Sequence, residues 1–599
     1  MARRIAFALM LLLAGPALAD EAVPPDVPTV LSPGDVANYR AIIVAERAGK
    51  FDKAQALYER LGDTSLKGYV QAEHLLSPHS GRTPISEMVT WLRTYGDLPI
   101  AERVKKLATK RATKKIRKRH HRFVTVMTAS IPGLPAARHR GGGYEEMDSS
   151  DPPVASDAAR TVQEQINAFI HADQPDQAYA TLEALIAANT APASDIARLS
   201  QRVSASYLAE GMDQQAYALA DSTSETGRTA SPILDWSAGL AAFRLGDFAN
   251  AARHFERLAQ VGSVPSWTRS AAAFWAARSY MRTGDSNRVV TLLTFAAKDE
   301  PTFYGILAEK LLGQDTQTGF ADPVLLPGDF DRIMQNAPTH RAVALWQIGE
   351  KKYDTFVNQE LNRGFGEAAD MKLDAAYAAL ARELNVPNVE LRASEISASR
   401  GLLLTGLFPI PQYKPLGGYT IDPSLVLAFV RIETRFQANA QSPAGALGLM
   451  QLMPGTARHI GGAGAVDQLL DPSYNMSLGQ RYIAQLLNLY DGNLIKLGAA
   501  YNAGPNKVTA WTAARDGKED DALMFIESMR APETRSYVKR LLTYYWMYHR
   551  RSEMTPQSID EIARGGWPIY HPPTQSAPPP PPPSNEDDTD DDDTDTPSS

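Results

Sequence analysis

Asp422-Pro-Ser-Leu-Val-Leu-Ala-Phe-Val-Arg-Ile-Glu-Thr-Arg-Phe436 is the stretch on which the reading of this chain turns. Asp422 is suited to cap a helix, and Pro423 supplies a φ preset for the first turn. The helix is predicted to run on to Phe436. Its apolar residues fall at 425, 429, 432 and 436, with 426 and 430 beside them. Glu433 follows Val426 by seven, Phe429 by four and Val430 by three, so it lies on or beside the apolar stripe. A carboxyl group there loses hydration, its neutral form is favoured and its pKa rises. A carboxylic acid that keeps its proton is what cleavage of a glycosidic bond needs, because the departing oxygen must be protonated. Spacing alone leaves a second reading open, in which Glu433 is a snorkelling or ion-paired structural residue.

The sequence downstream bears on that choice. Ser442-Pro-Ala-Gly-Ala-Leu-Gly-Leu-Met-Gln-Leu-Met-Pro-Gly-Thr456 comes first, then Ala500-Tyr-Asn-Ala-Gly-Pro505, then Ile526-Glu-Ser528 and Glu533-Thr-Arg-Ser-Tyr-Val-Lys539. Taken in order with Glu433, these motifs resemble the soluble lytic transglycosylases, whose catalytic domain has a goose-type-lysozyme-like fold. Phe303-Tyr-Gly-Ile-Leu-Ala308 is similar to an element near the end of that family's helical superhelix. The resemblance implies that Glu433 is the single catalytic acid and base. It implies a cleft in which Met450 and Gln451 lie beside Glu433, Tyr501 and Asn502 lie near the reacting sugar, and Tyr537 approaches Glu433 from the far side. It further places Ser442 near the stem-peptide end of the glycan, Glu527 as a supporting carboxylate, and Thr434 within reach of substrate or backbone. Each residue also has a plainer reading: Tyr501 and Tyr537 as core aromatics, Met450 as packing, Asn502 as turn chemistry and Gly504 as a helix cap.

Two departures stand out. Thr434 replaces the family's usual Ser after the acid, and Met529-Arg530-Ala531 replaces the usual Ile-Pro-Phe. Between Glu433 and Asp467 there is no Asp or Glu. Most glycosidases use two carboxylates, so this gap agrees with the chemistry the resemblance implies. In that chemistry the bond between N-acetylmuramic acid and N-acetylglucosamine is cut without water, leaving a 1,6-anhydro end. A hydrolytic muramidase on the same fold and a non-enzymatic helical scaffold of the cell envelope are the alternatives.

Upstream of this region Ala and Leu are frequent and apolar residues recur mostly three or four apart, as in Leu240, Phe243, Leu245, Phe248, Ala251, Phe255 and Leu258. Units such as Phe51–Tyr58, Asp176–Leu182, Gly246–Ala252 and Gly284–Val290 join a small or acidic turn to an apolar helix. Stacked helical hairpins look like this, since each buries its apolar face only against its neighbours. The expected fold class is mainly α: an α-helical superhelical solenoid, ring- or horseshoe-like, followed by a compact lysozyme-like α-rich catalytic domain. The expected organisation is a signal peptide (1–19), an N-terminal helical region (20–132), a Gly-, Pro- and Asp-rich linker (133–158), the superhelix (159–407), a short linker (408–418), the catalytic domain (419–553) and a Pro-rich acidic tail (571–599). The chain is expected to loosen after Met554.

Composition narrows the setting. Arg3 and Arg4 precede an apolar run from Ile5 to Leu13 and the small-residue exit Ala17-Leu18-Ala19, a pattern that fits a cleaved export signal and a periplasmic location. That run is too short to serve as a membrane anchor. There is no cysteine, so disulfides are excluded. Net charge is -7, but residues 103–122 are densely basic and Asp587–Asp595 nearly all acidic. The basic run reads as a solvated helix face or as a contact for an anionic wall polymer; nucleic acid is not expected as a partner. No Gly-x-Ser-x-Gly, phosphate-loop or His-Glu-x-x-His motif occurs, and His120-His121 reads as part of a solvated basic helix. No cofactor and no metal are expected. The expected partners are peptidoglycan glycan strands, with possible envelope proteins on the superhelix, and the expected state is a monomer.

Overall fold

The computed structural model describes residues 29–78, 83–118, 122–127, 154–298, 301–314, 319–368, 371–513, 521–554 and 556–572. The signal, most of the Gly-rich linker, His120, His121 and the acidic tail lie outside these residues. The described chain is mainly α, as expected, with one antiparallel hairpin, Thr113–Lys118 against Arg122–Met127. That hairpin corrects the reading of the basic run as one helix. The helix Ala101–Ala112 stops before Thr113, where the β-branched residue is extended.

From Asp157 to Leu311, successive helices pack pairwise, each on the next. The turn units read from the sequence do local work there. Gly246 and Gly284 sit at φ 79° and 87°, where a side chain is strained. The Asp that follows each glycine caps the next helix: Asp247 accepts from the Asn250 N–H and Asp285 from the Arg288 N–H, both at 3.2 Å. Asp157 itself begins a helix capped by Ser156, so the linker ends earlier than expected.

The N-terminal helices do not stand apart. Helices from Pro33 to Ala112 share one core with those from Ala337 to Ala398, built on Tyr39, Tyr69, Trp91, Leu345, Phe356 and Phe365. The first described residues therefore close back on the segment just before the C-terminal region. The Val30 and Leu31 N–H groups both donate to Gln347 Oε1 at 2.9 Å. Tyr69 donates to the buried Glu360 at 2.8 Å, and Arg341 grips the same carboxylate at 2.7 and 3.0 Å.

The C-terminal region is built around the helix Pro423–Thr434. Residues 424 to 431 are all buried, so this helix has no solvated face except at its end; it is a central helix rather than an amphipathic one. It packs on Pro532–Arg551, which also packs on Leu494–Ala503. It ends at Thr434, two residues earlier than expected, because Arg435 and Phe436 turn left-handed at φ 51° and 66°. The superhelix docks through the Phe303-Tyr304 element: Phe303 stacks on Trp546 at 5.4 Å and Tyr304 donates to Glu527 at 2.6 Å. Arg431 and Arg435 both face the buried Glu395.

Against expectation, residues 556–572 do not loosen. Gln557–Ala563 is helical, and the stretch beyond it straps the starts of three helices. Tyr570 Oη accepts from the Asp422 N–H at 3.0 Å, Pro568 O from Leu494 N at 3.0 Å and Gly565 O from Ala522 N at 3.2 Å. Trp567 packs edge-on against Phe525 at 5.1 Å, which explains why a short, Gly-containing segment holds its place. No described helix is long and apolar enough to cross a membrane.

The Glu360 site predicts a sharp cost. Arg341→Ala leaves a fully buried carboxylate without its cation and should destabilise the protein by about 3 kcal/mol. A melting temperature within a degree of wild type would refute that role.

Candidate active site

Glu433 sits in the last turn of the central helix, half-buried, with Phe429 one turn below it. Burial pushes its carboxyl up from 4.5 to about 7, and Glu533 adds to the rise; the Tyr537 hydroxyl and Arg540 pull the other way. Tyr537 donates to Oε1 at 2.6 Å. Burial holds the Tyr537 phenol well above its ordinary value, so it remains a donor throughout the working range. With Oε1 occupied as an acceptor, the exchangeable proton of Glu433 belongs on Oε2.

Beside this pair lies an aromatic floor. The rings of Phe429 and Tyr501 are 4.5 Å apart, and those of Tyr482 and Tyr501 5.4 Å. Tyr501 donates to Met450 O at 2.8 Å, which ties the Leu494–Ala503 helix to the Gly448-Leu-Met-Gln451 loop. The same loop is tied to the Glu433 helix by Thr434, whose hydroxyl donates to Leu449 O at 2.7 Å. Asn475 closes it from below, accepting from Met450 N at 2.8 Å and donating to Leu447 O and Leu469 O at 3.0 and 2.9 Å. A Cβ at Gly448 would lie 2.1 Å from Leu469 O, so the loop needs glycine there, at φ 75°.

The structure brings Glu433, Tyr537 and Tyr501 together. Asn502 joins them through the neighbouring helix, donating to Glu533 at 3.3 Å and accepting from Thr534 at 2.6 Å. Gln451 is half-buried at φ 47°, and its amide donates to Gly448 O and Ala440 O at 2.9 and 3.3 Å, so it braces the loop. Ser442 accepts from Ala446 N at 3.0 Å and holds its own turn.

Met450 and Glu527 are placed otherwise than the resemblance implied. The Met450 side chain is fully buried, and a Cβ at Gly479 would meet its Sδ at 2.1 Å; it packs the core and only its backbone serves the site. Of the two partners open to Thr434, substrate or backbone, its buried hydroxyl takes backbone, so it supports the loop. Glu527 does not join Glu433. It is buried at the superhelix boundary, held by Tyr304 and by Lys539 at 2.6 and 2.8 Å. The residues that reasoning from sequence left without a role are Glu533 and Arg540. Their spacing from Tyr537, four before and three after, puts all three on one helix face, and that signal was available.

Residues 413–524 match the family described as "Transglycosylase SLT domain". The chain is 39% identical over 155 residues to the soluble lytic murein transglycosylase of Escherichia coli K12, covering 24% of this chain and 24% of that protein. The matched stretch thus spans about a quarter of that relative. The fold is similar to that of an inactive variant of the lytic transglycosylase Slt from Pseudomonas aeruginosa, with TM-score 0.52, 21% identity, and coverage of 86% of this chain and 73% of that one. It is also similar to a 70-kDa soluble lytic transglycosylase in complex with bulgecin A, with TM-score 0.53, 19% identity, and coverage of 90% and 75%.

Two outcomes follow from the geometry. Thr434→Ser keeps the bond to Leu449 O and should be close to neutral, whereas Thr434→Val should cost about 1–2 kcal/mol in denaturant unfolding; equal stability of the two variants would refute the tie. A carboxyl whose folded pKa is raised contributes stability that is complete below its unfolded pKa and is lost as pH rises through about 7. Glu433→Gln should therefore match wild type near pH 4 and exceed it by about 1–3 kcal/mol at pH 8. A stability difference that does not change with pH would contradict the burial argument.

Proposed function

We propose that this chain is a lytic transglycosylase that cuts the β-1,4 bond between N-acetylmuramic acid and N-acetylglucosamine in peptidoglycan without consuming water. The observation that carries the proposal is Glu433: a half-buried carboxyl raised to about 7, held on one oxygen by Tyr537, at the exposed end of the central helix. The SLT-domain match over residues 413–524 and the named relative support the substrate class.

Glu433 donates its proton to the oxygen that leaves with N-acetylglucosamine. Positive charge develops at C1 of the muramic acid, where the substrate's own N-acetyl oxygen stabilises it. Glu433, now a carboxylate, takes the proton from the C6 hydroxyl of the same sugar. That oxygen closes on C1 and leaves a 1,6-anhydro end. One group serves both steps because they occur in sequence, and the second restores the starting proton. Tyr537 donates to the transient carboxylate, and Tyr501 with Asn502 offers a floor and a polar edge for the reacting sugar. Glu533 influences Glu433 only through its field, since its carboxylate engages Asn502. An export signal and a periplasmic site of action complete the reading.

Digestion of purified wall material, with product masses, tests this. Wild-type products should be lighter by one water than hydrolytic products, and Glu433→Gln should release none while keeping its fold. The rate should fall as pH rises through about 7, where the acid loses its proton. Hydrated products would identify a muramidase instead. Absence of products from the wild type would favour a non-enzymatic scaffold.

A further inference from the structure

A cavity of about 210 Å³ lies where the superhelix meets the helix Pro532–Arg551. That helix separates it from Glu433. Glu533, Tyr537 and Arg540 share the face near the acid, whereas Pro532, Arg535, Ser536 and Lys539 line the cavity, about a third of a turn away. The opposite wall comes from the superhelix and is largely apolar, with Leu208, Ile233, Trp236, Leu240 and Trp267, and carries Gln201, Ser237 and Thr268 at its polar points. The volume falls below the roughly 300–1,000 Å³ of pockets that hold drug-sized ligands, so an occupant has the size of one or two amino acids.

The charge of the lining is unbalanced. Its ionisable acids and bases are two cations, Arg535 and Lys539, and one carboxylate, Glu527. Lys539 and Glu527 pair at 2.8 Å. Arg535 donates to the backbone oxygen of Met529, and the lining offers its guanidinium no carboxylate of its own. Burial pushes the Arg535 guanidinium below its ordinary value, opposed only by the field of Glu527. The first turn of a 20-residue helix points the same sign of partial charge at this corner. Guanidinium groups match carboxylates in a planar, two-point fork. Both bonds to Glu527 land on Oε1, which leaves Oε2 to accept from an N–H.

We propose that this cavity binds the carboxy-terminal end of a small apolar peptide. Its carboxylate meets Arg535, a peptide N–H meets Glu527 Oε2, and its side chains lie against Trp236 and Leu240. The binding chemistry stands without the glycan-cutting reading; only the natural source of the peptide, the cell wall, rests on it. A phosphate would bring more charge than one unpaired cation balances, and the apolar wall leaves much of its hydration unreplaced.

The test uses the full chain and N-acetyl-alanyl-alanine, followed by tryptophan fluorescence and calorimetry, with the C-terminal amide of the same peptide and N-acetylglucosamine as competing probes. The acid should bind saturably, and the amide at least about tenfold more weakly. Arg535→Gln should lose at least about tenfold in affinity for the acid. Ala205→Phe, which fills the cavity from the superhelix side, should abolish binding without altering Arg535. Glu433→Gln should bind the probe as wild type does, which separates this site from the proposed acid. Equal binding of acid and amide, undiminished binding in Ala205→Phe, binding of the sugar alone, or no binding up to about 10 mM would each overturn the proposal.

Discussion

The desolvation of one carboxyl group governs the site. Glu433 sits at the end of a helix whose preceding residues from Ser424 to Arg431 are all buried, so the chain delivers it to the surface from a dry interior. Water that would stabilise its anion is replaced on one side by Phe429 and Tyr537, and its pKa rises to about 7. The two left-handed residues that follow, Arg435 and Phe436, end the helix there. Left-handed non-glycine residues are costly and persist only where the surroundings hold them. Here Phe436 is buried and Arg435 is paired with Glu395.

That pairing shows what the superhelix contributes. Glu395, Glu309 and Tyr304 all belong to the helical array, and each contacts the C-terminal region through a charged partner. Buried ion pairs are weak sources of net stability but costly to break, so they suit fixing an orientation between two bodies. The N-terminal helices reinforce the same boundary indirectly, closing on residues 337–398 through a shared core. The strap from Gly565 to Tyr570 holds the starts of the helices that carry Glu433, Tyr501 and Glu527.

Much of this was legible in the residues. Local rules sufficed for the Asp422 cap, the Gly-Asp turns of the superhelix and the placing of Glu433 against apolar side chains. What escaped was set by tertiary context. Met450, Gln451 and Thr434 belong to the expected motifs, yet the fold spends the Met450 side chain on packing and the other two side chains on backbone bonds that shape the loop. A motif reports that a residue matters without reporting which of its atoms does the work. The resemblance made Glu527 a supporting carboxylate of the cleft, but it ends the separate short helix Ala522–Glu527, where Tyr304 and Lys539 hold it at the superhelix boundary. The strap was hidden because Gly565, Gly566 and Pro568 signal a loop, and only its contacts reveal order.

The proposed chemistry depends on the protonation state of Glu433. A carboxyl-selective NMR titration of the full chain, with Glu433→Gln as the blank that identifies the resonance, reads it directly. The predicted result is a midpoint near 7 that rises further in Tyr537→Phe, because that hydroxyl favours the anion. A midpoint near the ordinary 4.5, insensitive to Tyr537, would contradict it.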